Sequence, residues 1–356
     1  MTTTFLDYID WRGDLSFENS PFNIVDSLIL TRFTYLPLDN LADYSTPHTI
    51  KTLYATYQTT QEHPFDFLFE NDAVLFEKMA NAPRFQHLTV QHFTHVIHEE
   101  KEVQFCAMLI HLDEKTTYVA FRGTDTSLVG WKEDFNMAFQ TVVPAQNLSR
   151  AFMESYSRDC HENIIVGGHS KGGNLAIYSA LFTSESVQDK IIAIHNFDGP
   201  GFNAHLKTSE HYPLLKDKIL SFVPETAIVG FLLNHEITPK IVKSSAKSAV
   251  QHDTYTWEIK RTDFTYLDET SDESKKITQT FQSVLTDYTS EELSFLVNTF
   301  FQLLAATGIK DFRDITKTTP SQLFNALKTY NSLTKEETAK LQQFISFIIG
   351  TLLSRK

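Results

Sequence analysis

The sequence predicts an α/β fold with a mostly parallel central sheet, on three observations. Apolar, β-branched runs recur at residues 164–166, 191–194 and 219–223, with helical patterns between them, the alternation that builds parallel sheets. The first run turns through Gly167-Gly168-His169-Ser170-Lys171-Gly172-Gly173 straight into a helical stretch, Leu175 to Leu181. The hydrophobic period is helical up to about residue 88, strand-like beyond it, and helical again after about residue 266.

At 356 residues the chain exceeds the usual size of one domain. The patterning divides it into an α/β domain over residues 1–265, with an N-terminal helical segment, and a C-terminal helical subdomain over 266–356. Hydrophobic residues make up 42% and 29 of the residues are Phe, which excludes disorder and favours a large core. The net charge of -13 argues against nucleic acid and anionic membrane surfaces as partners. Only two cysteines occur, Cys106 in an apolar run and Cys160 beside His161, in no metal-binding or redox spacing. A reducing, cytoplasmic location is therefore expected. The opening residues lack a basic then apolar leader, and no run of about 18 apolar residues suggests membrane insertion. No motif asks for a metal or a cofactor.

Taken in order, Phe22, Val25, Leu28 and Ile29 have helical spacing, and a second helix is expected over residues 72–80. Trp11-Arg12-Gly13-Asp14 holds an Arg-Gly-Asp tripeptide, which is read as a turn. Residues 103–112 and 117–121 form apolar runs around Asp113-Glu114-Lys115, the pattern of a hairpin. The second run leads into Phe121-Arg122-Gly123-Thr124-Asp125, followed by Trp131 and Asp134, and residues 145–161 read as a helix. Strands end at Asp198-Gly199-Pro200 and at Pro224-Glu225-Thr226, with a further strand at Ile241-Val242 and then a polar loop, residues 251–257. Beyond an acidic linker at 268–273, capping boxes open at Thr289, Thr319 and Thr334, and Gly308 closes the first of the helices they start. Leu341, Phe344, Ile345 and Ile348 make the last helix broadly apolar. These surplus apolar faces predict that the C-terminal helices cover the active site and shape its pocket, the alternative being a bundle on the far side of the sheet.

The chemistry centres on Gly168-x-Ser170-x-Gly172. In a strand-turn-helix context this is a nucleophile elbow: the glycines admit a tight turn and the serine hydroxyl projects above the sheet edge. Serine needs a base and an acid to orient that base, in the chain order Ser, acid, His. His195, His205, His211, His235 and His252 follow Ser170. His195 falls within a strand and reads as a core residue, whereas His252 lies on a polar loop after the last core strand and is the preferred base, with His235 next. Asp198 and Glu225 are both candidate acids at strand ends. Asp198 is preferred, and Asp253 is disfavoured as the direct neighbour of His252. Thr124 and the Lys171 backbone amide are the expected oxyanion-hole donors. The Lys171 ammonium is free to meet an anionic substrate or solvent, and His169 packs under the turn.

Phe121-Arg122-Gly123-Thr124 with Trp131 and Asp134, then Gly168-His169-Ser170 through Ala176, resembles the class 3, or fungal-type, lipase group of the α/β-hydrolase fold. The fuller set, with Pro21-Phe22-Asn23, Gly168 to Gly173, Asp198 to Phe202 and Gln251-His252-Asp253, resembles a bacterial family of uncharacterised, lipase-like proteins. The resemblance covers roughly residues 5 to 260 and implies Ser170 as nucleophile, Thr124 and the Lys171 amide as oxyanion hole, and His252 as base. It departs at Ala227, where class 3 lipases carry their aspartate. Asp198 instead resembles the acid position of pancreatic-type lipases, with Glu225 as the substitute. The expectation is a serine hydrolase of carboxylic esters, lipid-like or other acyl substrates. The alternatives are a thioesterase or acyltransferase with the same triad, or an inactive binding protein on this fold.

Overall fold

Strand polarity follows from how the strands are connected. The computed structural model describes residues 3–60, 67–203, 209–309, 311, 314, 326 and 333–353. Within them β1 (His48–Thr49), β2 (Thr89–His98), β3 (Val103–His111) and β4 (Thr116–Phe121) pair antiparallel. β3 and β4 are joined by the expected tight turn, where Asp113 Oδ1 accepts from the Lys115 and Thr116 amides at 2.7 and 2.8 Å. From β4 to β8 each step is a long crossover, through α-helices as far as β7 and through an irregular loop after it, so β5 (Asn163–His169), β6 (Ile191–Phe197), β7 (Ile219–Pro224) and β8 (Lys240–Val242) run parallel to β4. β9 (Ile259–Lys260) and β10 (Asp263–Phe264) form a separate small ribbon, and β11 (Tyr266–Leu267) closes the main sheet antiparallel to β8.

Helices cover both faces. α1 (Phe5–Arg12), α2 (Ile24–Phe33), α3 (Ile50–Thr59) and α4 (Asp72–Asn81) lie on one face. α6 (Pro144–Tyr156), α7 (Lys171–Phe182) and the short α8 (Glu185–Gln188) and α9 (Tyr212–Leu215) lie on the other, and α5 (Leu128–Asn136) follows β4. The period-2 pattern assigns side chains to faces: Met108, Ile110, Tyr118, Ala120 and Ile165 enter the first core, while Leu109, Val119, Phe121, Ile164 and Val166 enter the second. The sheet is mixed, parallel through its centre from β4 to β8 and antiparallel toward both edges, and with helices on both faces it has the α/β-hydrolase arrangement expected.

The N-terminal segment is more than a lead-in. Every residue of α2 from Val25 to Phe33 is buried, and two buried ion pairs, Arg84 with Asp26 at 2.5 Å and Arg32 with Asp72 at 2.7 Å, hold it. Asn23 caps it by accepting from the Val25 amide, and Gly13 makes the expected turn at the end of α1.

At the other end the sheet runs two residues past the expected boundary at 265, because β11 pairs with β8. The acidic stretch expected as a linker is tied down. Ser271 N–H donates to the Glu225 carbonyl at 2.9 Å and Ser274 Oγ to the Ala227 carbonyl at 2.6 Å, and Asp272 and Glu273 begin α10 (Asp272–Asp287). α11 (Ser290–Ala306) and α12 (Lys335–Leu353) start at the Thr289 and Thr334 capping boxes, and Gly308 takes the left-handed conformation after α11. Leu296, Val297, Phe300, Phe344 and Ile345 join Leu128, Trp131, Phe135 and Phe139 of the α5 region in a third core. The capping box expected at 319–322 and His205 lie outside the described residues. Among the described residues no helix is long and apolar enough to cross a membrane.

Candidate active site

Register brings the candidate residues together. Pairing of His169 with Phe197, and of Phe121 with Gly168, places Ser170, Asp198 and the Arg122-Gly123-Thr124 loop just beyond the carboxyl ends of three adjacent strands. Between β5 and α7, Ser170 sits at φ 57° and ψ −135°, a conformation that side chains rarely adopt and that costs of the order of 1–3 kcal/mol. A side chain on Gly168 would run into the Gly172 carbonyl, and one on Gly172 into that of Phe121, so the turn closes only with glycine at both. Gly123 leaves no room either, its backbone lying against Tyr35, the His169 carbonyl and Ser170 Cβ. The Arg122-Gly123-Thr124 loop therefore borders Ser170.

Of the two candidate acids, it is Asp198 that the structure brings to His252. Asp198 Oδ2 accepts from His252 Nδ1 at 2.6 Å, and Oδ1 accepts from the Gly230 amide at 3.0 Å. Its carboxyl is fully buried, which pushes its pKa up, against the downward pull of the His252 contact. Because the carboxylate only accepts, His252 carries its proton on Nδ1 and leaves Nε2 free to take another. Glu225 is half-buried at the end of β7. Its amide donates to the Val242 carbonyl and its own carbonyl accepts from Ser271. Ala227, at the place of the class 3 aspartate, is buried.

The remaining histidines fall where their surroundings put them. His195 is buried and its Nδ1 meets Ser27 Oγ at 2.7 Å, so it is the core residue expected. His235 Nε2 donates to the Leu232 carbonyl, and His211 lies near Glu210. Asp253 accepts from the Tyr255 amide and serves the turn.

The surroundings of Thr124 specify one expectation, and those of Lys171 overturn another. Thr124 Oγ1 donates to Asp134, at 2.8 and 2.6 Å from its two oxygens. That commits the hydroxyl hydrogen to Asp134. Burial pushes Asp134 up to about 6, against the nearby Lys171 charge and the Thr124 bond. The Lys171 ammonium meets neither substrate nor solvent. It is 1% exposed, and all three of its protons are used: on the Gln104 carbonyl at 2.9 Å, Gln104 Oε1 at 2.7 Å and Glu133 Oε2 at 2.9 Å. Glu133 in turn accepts from the Gln104 and Ala145 amides. The reason is that β3 and α5 offer Lys171 three acceptors beneath the elbow, which repay part of the cost of taking the charge out of water. Removing one partner strands the other. Lys171→Met is expected to lower unfolding free energy by about 3–5 kcal/mol in a urea titration, against under about 1 kcal/mol for an exposed pair.

Sequence reasoning missed Gln104, Glu133 and Tyr35, which support the site from distant elements. The one local feature in their neighbourhood, the unusual lysine beside the serine, reads as an exposed charge and gave no sign of a buried partner. Among the described residues no group of three or more His, Cys, Asp or Glu is placed to hold a metal ion.

Comparison with known proteins places this geometry in context. Among solved structures, M37 lipase is similar at 14% identity, covering 58% of this chain and 69% of that one, with a TM-score of 0.38. Rhizomucor miehei lipase in its propeptide complex is similar at 17% identity, covering 72% of this chain and 77% of that one, with a TM-score of 0.37. No curated protein matches the chain. The Mbeg1-like family matches residues 79–302, a stretch that holds Thr124, Ser170, Asp198 and His252. That match spans well over half of the sequence, and the chain belongs to the Mbeg1-like family.

Proposed function

We propose that the chain is a serine hydrolase that cleaves carboxylic esters of lipid-like or other acyl substrates, with Ser170 as nucleophile, His252 as general base and Asp198 as the acid that orients it. The observation that carries this reading is the 2.6 Å bond between Asp198 and His252, 54 residues apart, beside a strained serine at a strand-to-helix turn. Core packing has no need of such a combination. In the proposed reaction Ser170 Oγ attacks the ester carbonyl while its proton passes to His252 Nε2. The oxyanion is met by the Lys171 and Thr124 amides, aided by the first turn of α7. Collapse expels the alcohol, which takes the proton from His252 and leaves an acyl-serine. Water, deprotonated by the same nitrogen, then releases the carboxylic acid.

An acyl substrate is supported by the edge of the site. Gly230, whose amide holds Asp198, is followed directly by the half-buried apolar residues Phe231, Leu232 and Leu233. α5 begins four residues after Thr124, and the packing of α11 and α12 on it supports a role for these helices as a wall. The test is a fluorophosphonate probe: one adduct per chain, on the peptide that contains Ser170, is the expected result. A chain that takes up no probe, or takes it up elsewhere, overturns the reading.

A further inference from the structure

Tyr35 and His169 join three loops of the site through a chain of hydrogen bonds whose directions follow from the His169 tautomer. The His252 carbonyl can only accept, so its 2.9 Å contact with His169 Nε2 puts a proton on that nitrogen. Burial first, then the neighbouring His252 and Arg32, hold His169 well below its ordinary pKa, so the ring is neutral. Nδ1 is then an acceptor, and Tyr35 Oη is the donor, at 3.1 Å from Nδ1 and at the longer 3.4 Å from the His169 carbonyl. With its hydrogen so used, Tyr35 Oη accepts the Gly123 amide at 3.0 Å. The result is one continuous chain, from the residue before Thr124, through the residue before Ser170, to the backbone of His252.

A second brace reaches the same loops from α2. The Arg32 guanidinium lies 4.3 Å over the Tyr35 ring and forks onto Asp72, which also accepts from Tyr255 Oη at 2.8 Å, three residues beyond His252. Tyr35, Arg32 and Asp72 all precede the residues that the family match spans.

We infer that Tyr35 and His169 are positioning residues that couple the oxyanion loop, the nucleophile elbow and the base loop, setting the spacing of oxyanion donors, serine and base before substrate arrives. The inference rests on the serine-hydrolase reading. Misplacement of reacting groups by about 1 Å costs up to about a hundredfold in rate, which sets the scale of the effect.

The test uses the full chain, p-nitrophenyl butyrate turnover and the rate of fluorophosphonate labelling. Tyr35→Phe keeps the ring and removes the hydroxyl. It is expected to lower kcat and the labelling rate by about 10- to 100-fold while KM stays within about twofold. His169→Gln retains a donor at the Nε2 position and loses the acceptor that faces Tyr35. Adding it to Tyr35→Phe is expected to cost no more than about a further twofold, because the link is already cut. The 15N spectrum of His169 in the unmodified chain should show a neutral ring protonated on Nε2. Labelling of Tyr35→Phe at the unmodified rate, losses that multiply in the double variant, or an Nδ1-protonated ring each overturn the inference. Should Tyr35→Phe fail to fold, His169→Gln labelling at the unmodified rate does the same. An unmodified chain that takes up no probe overturns the hydrolase reading itself, whereas a labelled chain indifferent to Tyr35→Phe overturns only the coupling.

Discussion

Ser170→Ala is expected to abolish fluorophosphonate labelling and to reduce ester turnover on the order of a million-fold, the scale set by loss of a triad nucleophile. The substitution removes one oxygen. Ser170 has no side-chain cap bond to α7, and the backbone bonds that hold the turn, Ser170 N–H to the Phe197 carbonyl and Gly173 N–H to the Ser170 carbonyl, are kept. Alanine meets the same strain at φ 57° as serine does, so the variant should melt within a few degrees of the unmodified chain. Labelling that persists in a folded Ser170→Ala chain would show that another residue is the nucleophile.

The second large effect is expected at the acid. Asp198→Asn should reduce turnover by about ten-thousandfold, as losing the orienting carboxylate does in other triads. An asparagine can turn its amide toward His252 Nδ1 and donate to it. The ring proton would then move to Nε2, the nitrogen that must accept from Ser170. Size and packing change little, so the Gly230 amide can still find an oxygen at that position. Glu225→Gln supplies the comparison: its carboxyl belongs to no bond with His252, and its turnover should stay within a few-fold of the unmodified chain. If Glu225→Gln proves the more damaging change, the choice of Asp198 falls.

The sequence by itself determined what depends on near neighbours. β-branched runs between helical stretches read as parallel strands because alternation and helical spacing are properties of a few consecutive residues. The elbow was legible because two glycines and a serine specify a turn that few sequences can close, and the Thr289 and Thr334 boxes because a cap acts within one helical turn. Contacts between residues far apart in the chain were decided only by the tertiary structure. Asp198 and Glu225 carry the same local signal, a carboxyl after a buried strand. Two loops distinguish them: the one after β7 brings Gly230 to one Asp198 oxygen, and the one after β8 brings His252 to the other. The Lys171 charge reads locally as exposed, beside a serine at the sheet edge. It is buried because Gln104 and Glu133, 67 and 38 residues away in sequence, supply its acceptors. Tyr35 left no local mark at all: its hydroxyl acquires its partners from residues 88 and 134 positions further on, and those partners exist only once the sheet has brought β4 and β5 against α2.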